Sequence, residues 1–198
     1  MALSRRLNAG GWKIRGTCRD PARLRALKIL GIDAALFNGS KPMEPTNAVR
    51  DATHVLLSIP PGSDGDPAFF HHAEQIAKTR TVKWVGYLST TGVYGDRQGA
   101  WVTEAEPASP GQERSRRRKA CEQAWLNSGL PVQILRLPGI YGPGRSVLDG
   151  LRAGRARRIR KPDQVFCRVH VEDIAGACLH LIHQAARGQR PAIVNVSD

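Results

Sequence analysis

Ser89, Thr90 and Thr91 stand side by side in the segment Tyr87-Leu-Ser-Thr-Thr-Gly-Val-Tyr-Gly95, and Tyr94 follows shortly after. The run from Val82 to Leu88 reads as a buried strand, so the hydroxyls come where that strand would end. In an open parallel sheet, ligands bind in the crevice outside the carboxyl ends of the strands. Hydroxyls placed there can orient a ligand oxygen, because each offers a donor and acceptor lone pairs. Tyr94 adds a phenol, which works as a general acid or base only where a neighbour brings its pKa towards working pH. No Lys or His stands at fixed spacing to do so. Structural roles stay open beside these: hydroxyls cap turns and strand ends, and Tyr94 can pack the turn.

Other chemistry-bearing residues form looser groups. Arg114 to Lys119 (RSRRRK) and Arg152 to Lys161 (RAGRARRIRK) are basic runs, either solvated faces or anion contacts. Glu104 lies in a loop that could fold over the hydroxyls or stay solvated. His71, His72 and Glu74, or His180 with His183, lack a recognised metal-ligand spacing and read as helix-surface residues, so no metal is expected.

The elements that must position these groups alternate along the chain. Helical patterns cover Ala2 to Asn8, Pro21 to Leu30, Pro67 to Lys78, Arg114 to Asn127, 146–153 and Asp173 to Ala186. Strand patterns cover Trp12 to Thr17, Ala34 to Phe37, His54 to Ile59, Val82 to Leu88, Val132 to Leu137, Val165 to Val169 and Ile193 to Val196. His54 to Ile59 is apolar on both faces, as in parallel sheets covered by helices on both sides. Strands alternating with helices predict an α/β doubly wound parallel sheet.

Composition excludes several classes. A hydrophobic fraction of 41% is that of a globular chain. No apolar run approaches the ~18 residues of a membrane span, and no signal-peptide core follows Met1. Cys18, Cys121, Cys167 and Cys178 lie far apart, which predicts reduced thiols and a cytoplasmic location. A net charge of +13 favours anionic partners. Nucleic acid is disfavoured among them, since no helix-turn-helix, zinc or aromatic-platform signature is present.

Four motifs occur in order: Ser89–Gly95 (STTGVYG), Leu135–Gly144 (LRLPGIYGPG), Arg168–Ala175 (RVHVEDIA) and Ile193–Asp198 (IVNVSD). Together they resemble the extended, atypical NAD-dependent epimerase/dehydratase branch of the short-chain dehydrogenase/reductase superfamily. They are similar to its strand end bearing the catalytic Ser or Thr, its R-x-x-x-x-YGP turn, its His-Val-x-Asp opening of a late helix and its closing strand. The resemblance implies a single NAD(P)-binding Rossmann-like domain over 1–198, including part of a substrate-binding region from about 138 to 198. It implies NAD or NADP as cofactor and a small anionic substrate such as a nucleotide sugar. A homodimer through the helices Pro67–Lys78 and Arg114–Asn127 is also allowed.

Carried over by position, Thr90 orients the substrate oxygen, with Tyr94 the substitute for a missing base. Ser89, Arg118 and Pro138 face the cofactor, and Ser58, Ile59 and Pro60 end a central strand near its adenosine ribose. Thr17 and Arg19 end the strand that reads the ribose; Arg19 ahead of Asp20 tilts the choice to NADP, since arginine accommodates the 2′-phosphate. Thr91, Arg145 and Arg158 face the substrate, with Lys161 beside them. The chain departs from the pattern in two places. Arg114 and Arg118 stand at the Tyr and Lys of the family's YxxxK pair, and an arginine that stays protonated cannot be a base. The family's first strand and glycine loop have no counterpart, so the expectation is a chain shortened at both ends that binds dinucleotide weakly or not at all.

Overall fold

The computed structural model describes residues 1–44, 49–157, 160, 162 and 165–198. In chain order the elements are α1 (Ala2–Ala9), β1 (Arg15–Cys18), α2 (Pro21–Ile29), β2 (Asp33–Leu36), β3 (His54–Leu57), α3 (Pro67–Lys78) and β4 (Trp84–Thr90). A 3-10 turn (Thr91–Tyr94), α4 (Glu113–Leu126), β5 (Val132–Leu137), β6 (Gly139–Tyr141), α5 (Val147–Arg152), β7 (Arg168–His170), α6 (Val171–Ala186) and β8 (Ile193–Asn195) complete the chain. α2 and α3 start alike, on an Asp-Pro pair. The Asp20 and Asp66 carboxylates accept the amides of Ala22 and Ala68, both at 2.8 Å, and proline fills the first helical position, where no donor is needed.

Every strand pairing is parallel. The central sheet has the order β3-β4-β5-β8, while β1-β2 and β6-β7 form separate pairs. A Rossmann-like, doubly wound α/β arrangement results, with one core on each face of the central sheet. On the first face, Val85, Tyr87, Val132 and Ile134 pack against α3 and α4 through Ile76, Cys121 and Trp125. On the second, Trp84, Leu135 and Leu137 pack against α6 through Ile174, Cys178 and Leu181, with Leu3 of α1 at the margin. The alternation follows from the two-residue period of a strand.

Gly86 has a reason to be glycine. The Trp84 indole lies over it so closely that an added Cβ would sit 2.1 Å from the ring. In that position the indole N–H donates to Gln133 Oε1 at 2.6 Å, and Gln133 passes the chain on to the Pro191 carbonyl at 2.8 Å.

Several boundaries differ from the sequence expectation. The fourth strand begins at Trp84 rather than Val82, because the Val82 amide closes a turn onto the Thr79 carbonyl. Ser89 and Thr90 therefore lie inside the ladder, paired with Arg136 and Leu137, instead of beyond the strand end. Trp12 is not in a strand: its amide closes the end of α1 on the Leu7 carbonyl and its ring meets His54 edge-on at 4.7 Å. Gly139–Tyr141, expected as a turn, pairs with β7. His72, expected on a helix surface, is buried at 4% exposure, because its Nε2 accepts the Met43 amide at 3.1 Å and draws the ring inward.

β1 and β3 start side by side, since the Arg15 guanidinium donates to the Arg50 carbonyl at 2.9 Å. No ladder joins them, so the sheet is interrupted there among the described residues.

Candidate functional site at the carboxyl end of the fourth strand

On the first face the cross-strand pairs run Val85–Val132, Tyr87–Ile134 and Ser89–Arg136. Moving towards the carboxyl ends, the face changes from apolar to polar at the last pair. There α4 supplies Glu122, whose carboxylate meets Arg136 at 2.7 Å (Nη2 to Oε2) and 3.2 Å (Nε to Oε1). Both side chains are almost wholly buried, at 2% and 4% exposure. The Ser89 hydroxyl donates to the same carboxylate. The Arg136 guanidinium also lies 4.7 Å from the centre of the Tyr94 ring. Burial opposes its charge, but Glu122 and Tyr94 outweigh burial and hold its pKa above the usual arginine value.

Thr90, half-buried, is the last residue of β4, and its hydroxyl oxygen accepts the Gly92 amide at 3.1 Å. Both readings of the hydroxyl coexist in this geometry. It caps the 3-10 turn, and its proton remains available to a ligand. Thr91 is half-buried at the start of that turn. Tyr94 closes the turn at 2% exposure and its phenol donates to Asn195 Oδ1 at 2.8 Å. That placement engages the phenol in tying the turn after β4 to β8, across β5. Glu104, beside it, accepts the Asn195 amide at 2.6 Å, so the carboxylate pins the 95–112 loop to β8 rather than standing free in solvent.

α4 turns Ser115, Arg118, Glu122 and Trp125 towards the sheet, the spacing of one helix face. Arg114, one position off that stripe, is exposed and stands away from the sheet. Arg118, expected against the cofactor, donates to the Tyr87 phenol at 3.1 Å and the Leu88 carbonyl at 3.2 Å. Burial pushes the Tyr87 phenol well above its ordinary value, with Arg118 offsetting only part, so this phenol stays protonated. The sequence reading passed over Ser115, which is buried at 5% exposure next to Gly92. Its signal was available: Ser115, Arg118, Glu122 and Trp125 recur at helical spacing.

The remaining expected contacts lie along the strand ends. Thr17 and Arg19 are exposed at the end of β1, Ser58 and Pro60 are exposed and Ile59 half-buried after β3, and Pro138 is half-buried after β5. Asp20 is engaged as the α2 cap, while Arg19 makes no hydrogen bond among the described residues. Arg145 is exposed in the turn before α5. Arg158 and Lys161 lie outside the described residues. Among the described residues no group of three or more His, Cys, Asp or Glu could hold a metal ion, and no helix is long and apolar enough to cross a membrane.

As a dinucleotide site the strand ends fit in part. Thr17, Arg19 and Ser58 offer exposed polar groups to a ribose, whereas no glycine-rich loop among the described residues joins a strand to a helix where a pyrophosphate would rest.

No protein-family model matches the chain. It is 31% identical to protein YeeZ of Escherichia coli strain K12 over 205 residues, which span 95% of this chain and 70% of YeeZ. Its structure is similar to that of a conserved, functionally unknown protein from Silicibacter pomeroyi, with a TM-score of 0.86 and 44% identity over 99% of this chain and 67% of that one. It is also similar to dTDP-glucose 4,6-dehydratase from Bacillus anthracis in complex with NAD, with a TM-score of 0.74 over 99% of this chain and 70% of that one. At 16% identity the second structural likeness shows a common fold. By its sequence likeness over most of both chains the protein belongs to the family of YeeZ, and its doubly wound parallel sheet is the fold it shares with the dTDP-glucose 4,6-dehydratase.

Proposed function

We propose that the protein binds a nicotinamide dinucleotide along the strand ends and acts as an epimerase/dehydratase-like oxidoreductase on a nucleotide sugar or similar anionic metabolite. The observation that carries this reading is Thr90, whose hydroxyl keeps its proton for a ligand at the carboxyl end of β4, above a fixed Ser89–Glu122–Arg136 layer. The NAD and the sugar nucleotide named for the B. anthracis dehydratase lend support by common fold. Thr17, Arg19, Ser58, Ile59, Pro60 and Pro138 would hold the dinucleotide, with Arg19 favouring NADP through its 2′-phosphate. A bound nicotinamide supplies a hydride acceptor. Thr90 orients the substrate oxygen, and Thr91 and Arg145 meet the rest of the substrate. The four unpaired cysteines support a cytoplasmic setting.

A second reading, a non-catalytic NAD(P)-binding protein, is favoured by one feature. Near Thr90 the phenols of Tyr94 and Tyr87 are both engaged and buried and Arg114 is exposed, so among the described residues neither phenol is left free to take the hydroxyl's proton. Calorimetry with NAD and NADP tests binding. Cofactor reduction against a panel of nucleotide sugars then separates the readings. Turnover that falls when Thr90 becomes alanine supports the enzyme, binding without turnover supports the second reading, and no binding of either dinucleotide refutes both.

A further inference from the structure

His72 is a buried titratable group in the middle of α3, and the segment after β2 folds back onto it. Its Nε2 accepts the Met43 amide at 3.1 Å, which fixes the ring as the neutral tautomer with its proton on Nδ1. That proton is directed at Gln75 Oε1, 3.2 Å away. The Phe37 ring meets His72 edge-on at 5.2 Å, so one side chain holds both ends of the 37–43 segment. Between those ends the Gly39 carbonyl accepts the His71 Nε2–H at 3.1 Å. The Gly39 backbone also lies so close to α3 that an added Cβ would sit 2.9 Å from the Pro67 ring.

Protonation acts differently on the two histidines. A charged His71 still donates to the Gly39 carbonyl. A charged His72 carries a proton on Nε2 as well, and that proton faces the Met43 N–H, two donors with no acceptor between them. The charged and titratable groups on the elements around the ring are His71, Glu74 and Lys78 of α3 and Lys41 and Glu44 of the segment. Glu74 pairs with Lys78 and Glu44 with Lys41, so among the described residues neither carboxylate is committed to an imidazolium. Burial is the larger cause that holds the His72 pKa below 6.5; His71 adds to it and the Gln75 bond opposes it. An open cleft of about 290 Å³, lined by Pro42, His71, His72, Glu74, Gln75 and Lys78, gives water and protons a route to the ring.

We infer that His72 is a proton-operated latch, which fastens the 37–43 segment to α3 when neutral and releases its Met43 end when charged. The latch is joined to the end of β1, because the Phe37 amide donates to the Cys18 carbonyl at 2.8 Å, next to Arg19. Release at Met43 therefore loosens the chain that flanks Arg19. Its bearing on a bound dinucleotide rests on the reading of Arg19 as the ribose contact; the latch itself does not.

The test needs neither cofactor nor turnover. Isotope-labelled full-length chain is followed by NMR from about pH 7.5 to about pH 5, across the range in which histidine titrates. At the upper end the His72 ring nitrogens should show the Nδ1–H tautomer. Protection of the Met43 amide from hydrogen exchange, corrected for intrinsic rate, should lie below that of Val85, which donates to the Pro131 carbonyl in the sheet. It should fall about ten-fold for each pH unit below about 6.5, since release takes up one proton. The Cys18 and Arg19 amide resonances should move along the same pH curve as that of Met43. In His72→Gln, which keeps an acceptor for Met43 but cannot titrate, the Met43 protection should lose its pH dependence and the Cys18 and Arg19 shifts should vanish. An Nε2–H tautomer in the unmodified chain would overturn the latch. So would Met43 protection equal to that of Val85, which would mean that the segment opens only with the whole domain, or an unaltered pH dependence in His72→Gln. Movement at Met43 without movement at Cys18 and Arg19 would overturn the link to β1. Failure to bind NAD or NADP would refute the proposed function while leaving the latch standing.

Discussion

Replacing Glu122 by glutamine should destabilise the fold severely, because it would strand a buried charge. The Arg136 guanidinium is 4% exposed and, among the described residues, makes its ionic contacts to Glu122 alone, with Nη2 and Nε both directed at the carboxylate. The Tyr94 ring at 4.7 Å softens its burial but carries no full charge. Removing one partner of a buried pair typically costs about 3–5 kcal/mol, since the other is left uncompensated. Set against a domain stability of about 5–15 kcal/mol, that is a large share. The Ser89 hydroxyl would keep an acceptor in the glutamine amide, so the loss should track the charge and not the hydrogen bond to Ser89. Replacing both partners, Glu122→Leu with Arg136→Met, removes the stranded charge and should cost far less than the two single changes added together. Urea unfolding of the wild type, both singles and the double variant measures the cycle, provided the slope with denaturant stays constant. A Glu122→Gln loss below about 1 kcal/mol, or additive single effects, would refute the argument that the pair is desolvated and coupled.

Other perturbations read different parts of the structure. Gly86→Ala should push the Trp84 indole off Gln133 and destabilise by about 1–3 kcal/mol as an overpacked core does, seen as a lowered urea midpoint. Asp66→Ala should remove both the α3 cap and the acceptor of the Trp125 indole N–H at 2.7 Å, for about 2–3 kcal/mol, and a change within 0.5 kcal/mol of zero, roughly the scatter of surface substitutions, would rule that out. Burial is the main cause that lowers the pKa of His72 and His54 below 6.5, so the unfolded chain binds more protons than the folded one once pH falls through about 6.5. Stability should therefore be full above about pH 6.5 and decline as the pH falls below it, and His72→Gln should flatten the decline. An unchanged urea midpoint across that window would show that the neutral His72 acceptor of the Met43 amide contributes nothing.

The sequence was legible where a local rule and the tertiary packing agreed. Pro21 and Pro67 mark helix starts through the Asp-Pro pairs, and the alternation of apolar strands with helices announces the doubly wound sheet. Legibility failed where partners far along the chain decide the outcome. Nothing local shows that the strand after Val82 starts at Trp84, because the turn onto Thr79 and the register against β5 set it. His72 reads as a surface residue until Met43, 29 positions away, offers its amide. Nothing local marks Glu122, because its partner Arg136 lies on the next strand. Ser115 was hidden for another reason: it sits among arginines, whose charge dominates any local reading, and only the helical period separates it from them.

The buried ion pair has a consequence for the site that its stability effect does not capture. Ser89 and Arg136 face each other across the β4–β5 ladder, and both turn to the same carboxylate on α4. A slip of one residue in that pairing would carry Arg136 to the opposite face of the sheet, because side chains alternate along a strand. There it would meet the apolar cluster of Trp84, Ile174 and Cys178 and lose Glu122 altogether. The pair therefore penalises any register but the observed one, which is the role for which buried ionic groups are best attested. Thr90 follows Ser89 directly, and Ser115 lies two helical turns before Glu122 on the same inward stripe of α4. Fixing Ser89 and Glu122 against Arg136 thus fixes the end of β4, with Thr90, against the inward stripe of α4. A ligand contact at Thr90 is consistent with an ionic layer one residue back along the strand, where an apolar core would have held the strands together equally well but with less control of register.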